Sequence, residues 1–137
     1  MPALIDTGFL YALLDRSDRQ HTAVSAALPN AQSPIYLPTP VITEVAYLLL
    51  RNLGPSAMAD FVASLASTQL VLLNPEGAGY ARAAALIRQY QDARLDFADA
   101  VLIAMAERLT ITEVLTIDRR HFLMVRPAHC IAFELLP

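Results

Sequence analysis

Several residue types are scarce or missing in this chain of 137 residues. It has one cysteine, Cys130, no tryptophan and no lysine, so all ten of its basic residues are arginine. A single cysteine excludes a small scaffold held together by disulfides and fits a reducing compartment. Charged residues make up only 17% of the chain and hydrophobic residues 55%, which excludes a disordered chain. The length predicts a single domain over residues 1–137, with a core large enough to be stable without disulfide cross-links.

Long hydrophobic runs are also missing. The longest uninterrupted one, Ala100 to Ala106, has seven residues, whereas a bilayer span needs about 20. We interpret it as part of a buried helix and expect no membrane association. Asp6 interrupts the N-terminal apolar stretch and no basic residue precedes it, so we expect no signal peptide and a cytoplasmic protein.

Short apolar segments alternate along the chain with helical segments. The predicted strands cover 2–5, 35–37, 69–73, 112–117 and 130–135. The predicted helices cover 7–14, 21–28, 40–53, 55–66, 75–91 and 96–109, with a short helical turn at 119–123. Thr39 is a predicted N-cap and Gly54 a predicted C-terminal stop. Because the strands are uniformly apolar rather than alternating, the pattern predicts an α/β fold with a parallel sheet covered on both faces.

The net charge of −3 does not point to a nucleic-acid partner, but the acidic residues fall into two groups. The first group lies in polar sequence and is expected to be solvated: Asp15, Asp18, Asp60, Asp92, Glu107 and Glu113. The second group is embedded in apolar sequence: Asp6, Glu44, Asp99 and Asp118. Burying an ionised carboxylate is costly, so these four require compensation.

Each embedded acid has a structural explanation when it is taken alone. Asp6 can accept backbone N–H groups, Asp118 can form an Asx-turn, and Glu44 can pair with an arginine. Asp96 and Asp99 can form a capping box at the start of a helix. Together, however, the four acids follow strands or open helices at the carboxyl edge of a parallel sheet, where ligands bind. Their mutual repulsion there requires cations.

The chemistry of these side chains favours Mg²⁺ or Mn²⁺, which prefer oxygen ligands. No Cys/His cluster has zinc spacing, and the histidines are expected to be surface or loop residues: His21, His121 and His129. A site of this kind suits hydrolysis of a phosphodiester, because a metal lowers the pKa of the attacking water and neutralises the developing charge.

Four segments at these positions resemble the PIN-domain family, and within it the VapC-like toxins of prokaryotic toxin–antitoxin systems. They read LIDTGFLYALLDRSDRQH, PVITEVAYLLL, DFADAVLIAMAERL and VLTIDRRHF. The resemblance runs from residue 4 to about residue 135. It implies a three-layer α/β/α sandwich around about five parallel strands in the order 3-2-1-4-5. It also implies a Mg²⁺- or Mn²⁺-dependent endoribonuclease that acts as a toxin.

The resemblance assigns the acids of the metal site to Asp6, Glu44, Asp99 and Asp118. Thr116 matches a threonine that orients an acid or a water. Asp96 remains open as an additional ligand, as the true third ligand or as a helix cap, because it lies three residues before Asp99.

The expected partners are an RNA substrate, a cognate antitoxin and a second copy of the chain. The apolar helices predicted at 40–53 and 55–66 are candidates for a homodimer interface or for an antitoxin groove. Arg119 and Arg120 are the arginines nearest the predicted site. An alternative is a catalytically silent PIN-like module that binds RNA or protein. A phosphatase with Asp6 as nucleophile is disfavoured, because Gly8 stands where such sites have a second Asp and the chain has no lysine.

Overall fold

A five-stranded parallel sheet forms the centre of the computed structural model, which describes residues 1–137. Its strands are β1 (Ala3–Ile5), β2 (Ile35–Pro38), β3 (Val71–Leu73), β4 (Glu113–Leu115) and β5 (Glu134–Leu136). The strands lie in the order β3-β2-β1-β4-β5, and every neighbouring pair is parallel. The α/β fold and the strand order implied by the resemblance are therefore confirmed.

Seven α-helices connect the strands. They are α1 (Thr7–Leu14), α2 (His21–Ala27), α3 (Thr39–Leu53), α4 (Pro55–Ser64), α5 (Gly77–Gln89), α6 (Phe97–Leu109) and α7 (Arg120–Met124). The helices α1 and α3 begin where β1 and β2 end, at the carboxyl edge of the sheet. The helix α6 leads into β4, and a helix that connects parallel strands runs antiparallel to them, so α6 also begins at this edge. None of the helices has both the length and the apolar character needed to cross a membrane.

The core lies on both sides of the central strands. All residues of β1 and β4 are buried, as expected for short apolar strands covered on two faces. The run from Ala100 to Ala106 in α6 is completely buried, which confirms its interpretation as a core helix. The edge strand β3 is more open, with Val71 and Leu72 exposed.

The last strand was predicted at the wrong position. Instead of residues 130–135, β5 covers Glu134–Leu136, and its pairing with β4 starts at Glu134 opposite Glu113. The apolar residues before β5 do not extend the strand. Among them, Phe133 packs edge-on against Phe122, with ring centroids 5.9 Å apart. Ile131, by contrast, is 87% exposed.

The start of α3 also differs from the prediction, whereas its end agrees. Thr39 is not the N-cap but the first helical residue, and Pro38 precedes it without a side-chain cap. Gly54 ends the helix as expected. Its φ of 98° lies in the region that favours glycine, and its N–H donates to the carbonyls of Leu49 and Leu50.

Three acids that were predicted to be solvated are bonded within the structure. Asp15 is buried and accepts the Tyr11 hydroxyl at 2.6 Å. Glu113 is buried and accepts the backbone N–H of Gln32 at 2.6 Å. Glu107 pairs with Arg82 through two hydrogen bonds of 2.7 and 3.1 Å. Each acid bonds to an uncharged group or to a distant residue, and the local polarity of a sequence does not reveal such partners.

Candidate functional site

Asp6 lies at the carboxyl end of β1, where it is also the N-cap of α1. Its Oδ1 accepts the backbone N–H of Phe9 at 2.9 Å, so the turn from strand to helix fixes the side chain. Only 6% of the residue is exposed. Burial, reinforced by the charges of Asp99 and Asp118, raises the pKa of Asp6 from 3.8 to about 7.

Asp96 and Asp99 open helix α6. Asp96 is the N-cap, and its Oδ1 accepts the backbone N–H of Asp99 at 2.8 Å. Only half of the predicted capping box forms, because the Asp99 side chain bonds to His121 instead of returning to Asp96. Burial, with repulsion from Asp96 and Asp118, raises the pKa of Asp99 from 3.8 to about 6, although the His121 bond opposes the rise.

His121 is the residue of this site that the sequence prediction missed. It was expected at the surface or in a loop, but it is only 5% exposed, and its Nδ1–H donates to Asp99 Oδ2 at 2.6 Å. Its Nε2 is buried without a hydrogen-bond partner. One signal was available: His121 lies in an apolar context, directly before the buried Phe122 in α7 and four residues before the buried Val125 that follows the helix. His21 and His129 each donate a ring N–H to a backbone carbonyl, that of Ala12 and that of Ile111, and stay outside this cluster.

Two of the acids that were predicted in apolar surroundings are in fact exposed. The apolar stripe of α3 consists of Val41, Val45 and Leu49, and Glu44 faces away from it. Partial desolvation and the charges of Asp96 and Asp99 nevertheless raise the pKa of Glu44. Asp118 follows β4 in a loop, where its side chain is 71% exposed and lies 3.7 Å from Arg120. At this exposure the ion pair contributes little.

Thr116 connects the two acids that follow the central strands. It is completely buried, and its hydroxyl contacts both Asp6 Oδ2 and the backbone carbonyl oxygen of Asp118, the latter at 3.0 Å. A hydroxyl carries one hydrogen, so it can donate to only one of these acceptors at a time. When Asp6 holds a proton, Asp6 donates to Thr116 and Thr116 donates to the carbonyl. The raised pKa of Asp6 and the double contact are thus consistent with each other.

The structure brings all the predicted acids into one cluster, with Asp99 at its centre. Asp99 interacts electrostatically with each of the others: Asp6, Glu44, Asp96 and Asp118. The side-chain ligand atoms of Asp96, Asp99 and His121 lie within 4.8 Å of one another. The cap role of Asp96 therefore does not remove it from the cluster. Five carboxylates from α3, α6 and the ends of β1 and β4 therefore lie within electrostatic range of Asp99 or include it.

This donor set fits a hard divalent cation. Carboxylate oxygens are the ligands that Mg²⁺ and Mn²⁺ prefer. Burial, and secondarily the neighbouring acids, raises the pKa values of Asp6, Glu44 and Asp99, and no arginine pairs with any of the three. Arg120 pairs with the exposed Asp118 and is itself exposed. The cluster can therefore bind a cation and place it beside an anionic substrate.

The fold is that of one class of proteins, the PIN domains. Residues 3–126 match the PIN domain family, and the chain belongs to it. A relative named Ribonuclease VapC26, from Mycobacterium tuberculosis, is 32% identical over 134 residues, which cover 98% of this chain and 99% of the relative.

Two solved structures share the fold at about one-fifth sequence identity. VapC20 from Mycobacterium tuberculosis, described as a toxin that cleaves the sarcin–ricin loop, superposes with a TM-score of 0.76 and 20% identity over 82% of this chain and 86% of its own. A toxin–antitoxin complex from Klebsiella pneumoniae gives a TM-score of 0.69 and 20% identity over 96% of this chain and 99% of its own.

Proposed function

We propose that this protein is a metal-dependent endoribonuclease of the VapC type and acts as the toxin of a toxin–antitoxin pair. The observation that carries the proposal is the cluster centred on Asp99, in which carboxylates from four separate elements meet at the ligand-binding edge of the sheet. The relative that is 32% identical over nearly the whole chain is named a ribonuclease, which supports the same activity here.

The chemistry follows from what a phosphodiester requires. Hydrolysis adds negative charge to a phosphate that is already anionic, so a cluster of acids can assist only together with a cation. A divalent ion, Mg²⁺ or Mn²⁺, would neutralise this charge and make water a better nucleophile at neutral pH. Asp6, Glu44, Asp99 and Asp118 would hold the ion, and Asp96 has an oxygen close enough to contribute. Thr116 would hold the Asp6 carboxylate in position, and His121 would hold that of Asp99.

RNA cleavage assays test the proposal. We expect cleavage with Mg²⁺ or Mn²⁺ and none with a chelator. The products should carry 5′-phosphate and 3′-hydroxyl ends, because attack by water needs no 2′-hydroxyl. Sequencing of RNA ends after induced expression, with the Asp99→Ala protein as control, would identify the target. Equal cleavage by the wild type and by Asp99→Ala would contradict the proposal.

His121 should affect metal binding through Asp99. Groups that hydrogen-bond to metal ligands change metal affinity by about 10- to 100-fold when they are removed. We therefore expect His121→Leu to weaken Mn²⁺ binding by about that factor in an electron paramagnetic resonance titration. His121→Asn places an N–H donor near the position of Nδ1 and should stay within a few-fold of the wild type. Wild-type affinity in His121→Leu would show that the bond to Asp99 has no role in binding.

The helices α3 and α4 are proposed to form a homodimer interface or a groove for the antitoxin. Both helices expose apolar side chains, namely Leu50, Leu53 and Val62. A cavity of about 210 Å³ between Leu14, Leu49 and Phe61 lies beside them. Exposed apolar surface of this kind is typical of protein interfaces. Sedimentation of the purified chain would test the dimer, and a monomer at all concentrations would contradict it.

A further inference from the structure

The exposed aromatic side chains are all located in one part of the molecule. The chain has five tyrosines and five phenylalanines, and only three of these ten residues are exposed. They are Tyr47, Tyr80 and Phe97, with exposures of 60%, 47% and 55%. An exposed ring gives up the burial that usually stabilises an aromatic residue, so a cluster of such rings indicates a binding surface.

These three rings line two adjoining cavities. The first has a volume of about 360 Å³ and is lined by Thr39, Pro40, Thr43, Glu44, Tyr80 and Phe97. The second has a volume of about 490 Å³ and is lined by Thr43, Glu44, Tyr47 and Leu48. Since Thr43 and Glu44 belong to both, the cavities form one groove along α3, which we call the aromatic groove.

The aromatic groove runs past the acidic cluster. Glu44 lines both of its cavities and interacts electrostatically with Asp96 and Asp99. Phe97 lies in the chain between Asp96 and Asp99, at the first position of α6. A polymer lying in the groove would therefore have rings on both sides of Glu44.

We propose that the aromatic groove binds single-stranded RNA by base stacking. One unpaired base would stack on Tyr80 and Phe97, and a base on the other side of Glu44 would stack on Tyr47. This inference rests on the proposed ribonuclease function and adds to it the side chains that bind the bases of the substrate. Base faces are accessible to side chains only where the strand is unpaired, and aromatic rings are the groups that proteins commonly use to bind them.

The charge of the protein supports stacking as the source of affinity. Most nucleic-acid sites gain affinity from basic residues, but this chain has a net charge of −3, and the centre of the groove is acidic. The one guanidinium over a groove ring is that of Arg51, 5.8 Å from the centroid of Tyr47. It can contact a phosphate at that end and strengthen the stack through a cation–π interaction. The hydroxyls of Thr39 and Thr43 can bond to sugars or base edges.

Oligonucleotides with and without bases separate stacking from phosphate binding. The protein would carry Asp6→Asn to prevent cleavage, and Mg²⁺ would be present. The probes are a fluorescent single-stranded hexaribonucleotide and the same oligonucleotide with abasic sites at alternate positions. Stacking is worth about tenfold or more per base. We therefore expect the intact RNA to bind at least about tenfold more tightly than the abasic RNA in fluorescence anisotropy.

Ring removal should reduce this preference, with a smaller effect on the binding of abasic RNA. Tyr47→Ala and the double substitution Tyr80→Ala/Phe97→Ala remove rings, whereas Tyr80→Phe keeps one and should retain the preference. Ile131→Ala, at an exposed apolar residue far along the chain from the groove, is the matched control and should behave like the parent. All these positions are exposed, so circular dichroism should show unchanged folding.

The possible failures are distinguishable. If the protein with wild-type Asp6 cleaves RNA but the alanine variants keep the full preference for bases, the groove proposal is overturned while the ribonuclease assignment stands. That outcome would instead favour a protein as the partner that binds in the groove. If RNA is neither bound nor cleaved, both proposals fail.

Discussion

Replacement of Asp6 by asparagine is expected to stabilise the metal-free protein at pH 8 and, at the same time, to abolish most of its RNA cleavage. Loss of a metal ligand removes several kcal/mol of charge stabilisation. If about 4 kcal/mol is lost, cleavage falls by about 10³-fold, at 1.36 kcal/mol per factor of ten. The free energy of unfolding of the metal-free protein should rise, because Asp6 is buried and its neighbours are acids.

The sign of the stability effect follows from linkage. In the unfolded chain Asp6 ionises near 3.8, and in the folded chain near 7. Between these values the folded state binds more protons than the unfolded state, so stability falls as the pH rises. The difference corresponds to a loss on the order of 4 kcal/mol, which is complete above pH 7. Asparagine avoids this loss because it carries no charge.

The hydrogen bonds of Asp6 survive the substitution. The carbonyl oxygen of asparagine can accept the N–H of Phe9, and its amide can donate to Thr116, which then donates to the carbonyl of Asp118. Unfolding by urea at pH 4.5 and pH 8 measures the effect. Wild type and variant should be similar at the lower pH and clearly different at the higher one. Added Mn²⁺ should stabilise the wild type and reduce the difference, and equal stability at pH 8 without metal would contradict the prediction.

Affinity for Mn²⁺ should fall by about 10²-fold between pH 7.5 and pH 5.5. Metal ligands must be deprotonated, so protons compete with the ion. Asp6, with a pKa of about 7, and Asp99, with a pKa of about 6, are both largely protonated at pH 5.5 and largely ionised at pH 7.5. Binding should thus release more than one proton at pH 5.5 and almost none at pH 8.

Calorimetry in buffers of different ionisation enthalpy measures this proton release directly. The matched control is Asp6→Asn, which should bind Mn²⁺ more weakly but with a shallower pH dependence, because only Asp99 then titrates strongly. An affinity that does not change between pH 5.5 and pH 7.5 would show that these two carboxylates do not bind the ion.

The sequence predicted the positions of Asp6 and Asp99 because those positions depend on local rules. An acid that ends a buried strand must lie at the carboxyl edge of a parallel sheet, and an acid in the first turn of the following core helix must lie there too. The exposure of Glu44 could also have been predicted from the sequence. On a helix, Glu44 is rotated by about 100° from the stripe of Val41, Val45 and Leu49.

Other features depend on contacts between residues that are distant in the sequence, and local rules do not predict them. His121 meets Asp99 across 22 positions, and Arg82 meets Glu107 across 25. Neither pair has a local pattern that selects one partner over others. The last strand was misplaced because Phe133 and Ile131 are both apolar residue types and cannot be distinguished in the sequence. In the structure Phe133 packs against an aromatic ring, whereas Ile131 is exposed.

The sheet itself has a consequence for how copies of this protein can associate. Both of its edges are strands of three residues, β3 and β5, and a proline follows each of them closely, at Pro75 and Pro137. Short edge strands that are followed closely by proline are poor templates for a further strand. Although Val71 and Leu72 are exposed, end-to-end growth into fibrils is therefore disfavoured. An assembly of copies is expected to be closed, through helices, rather than open-ended through a continued sheet.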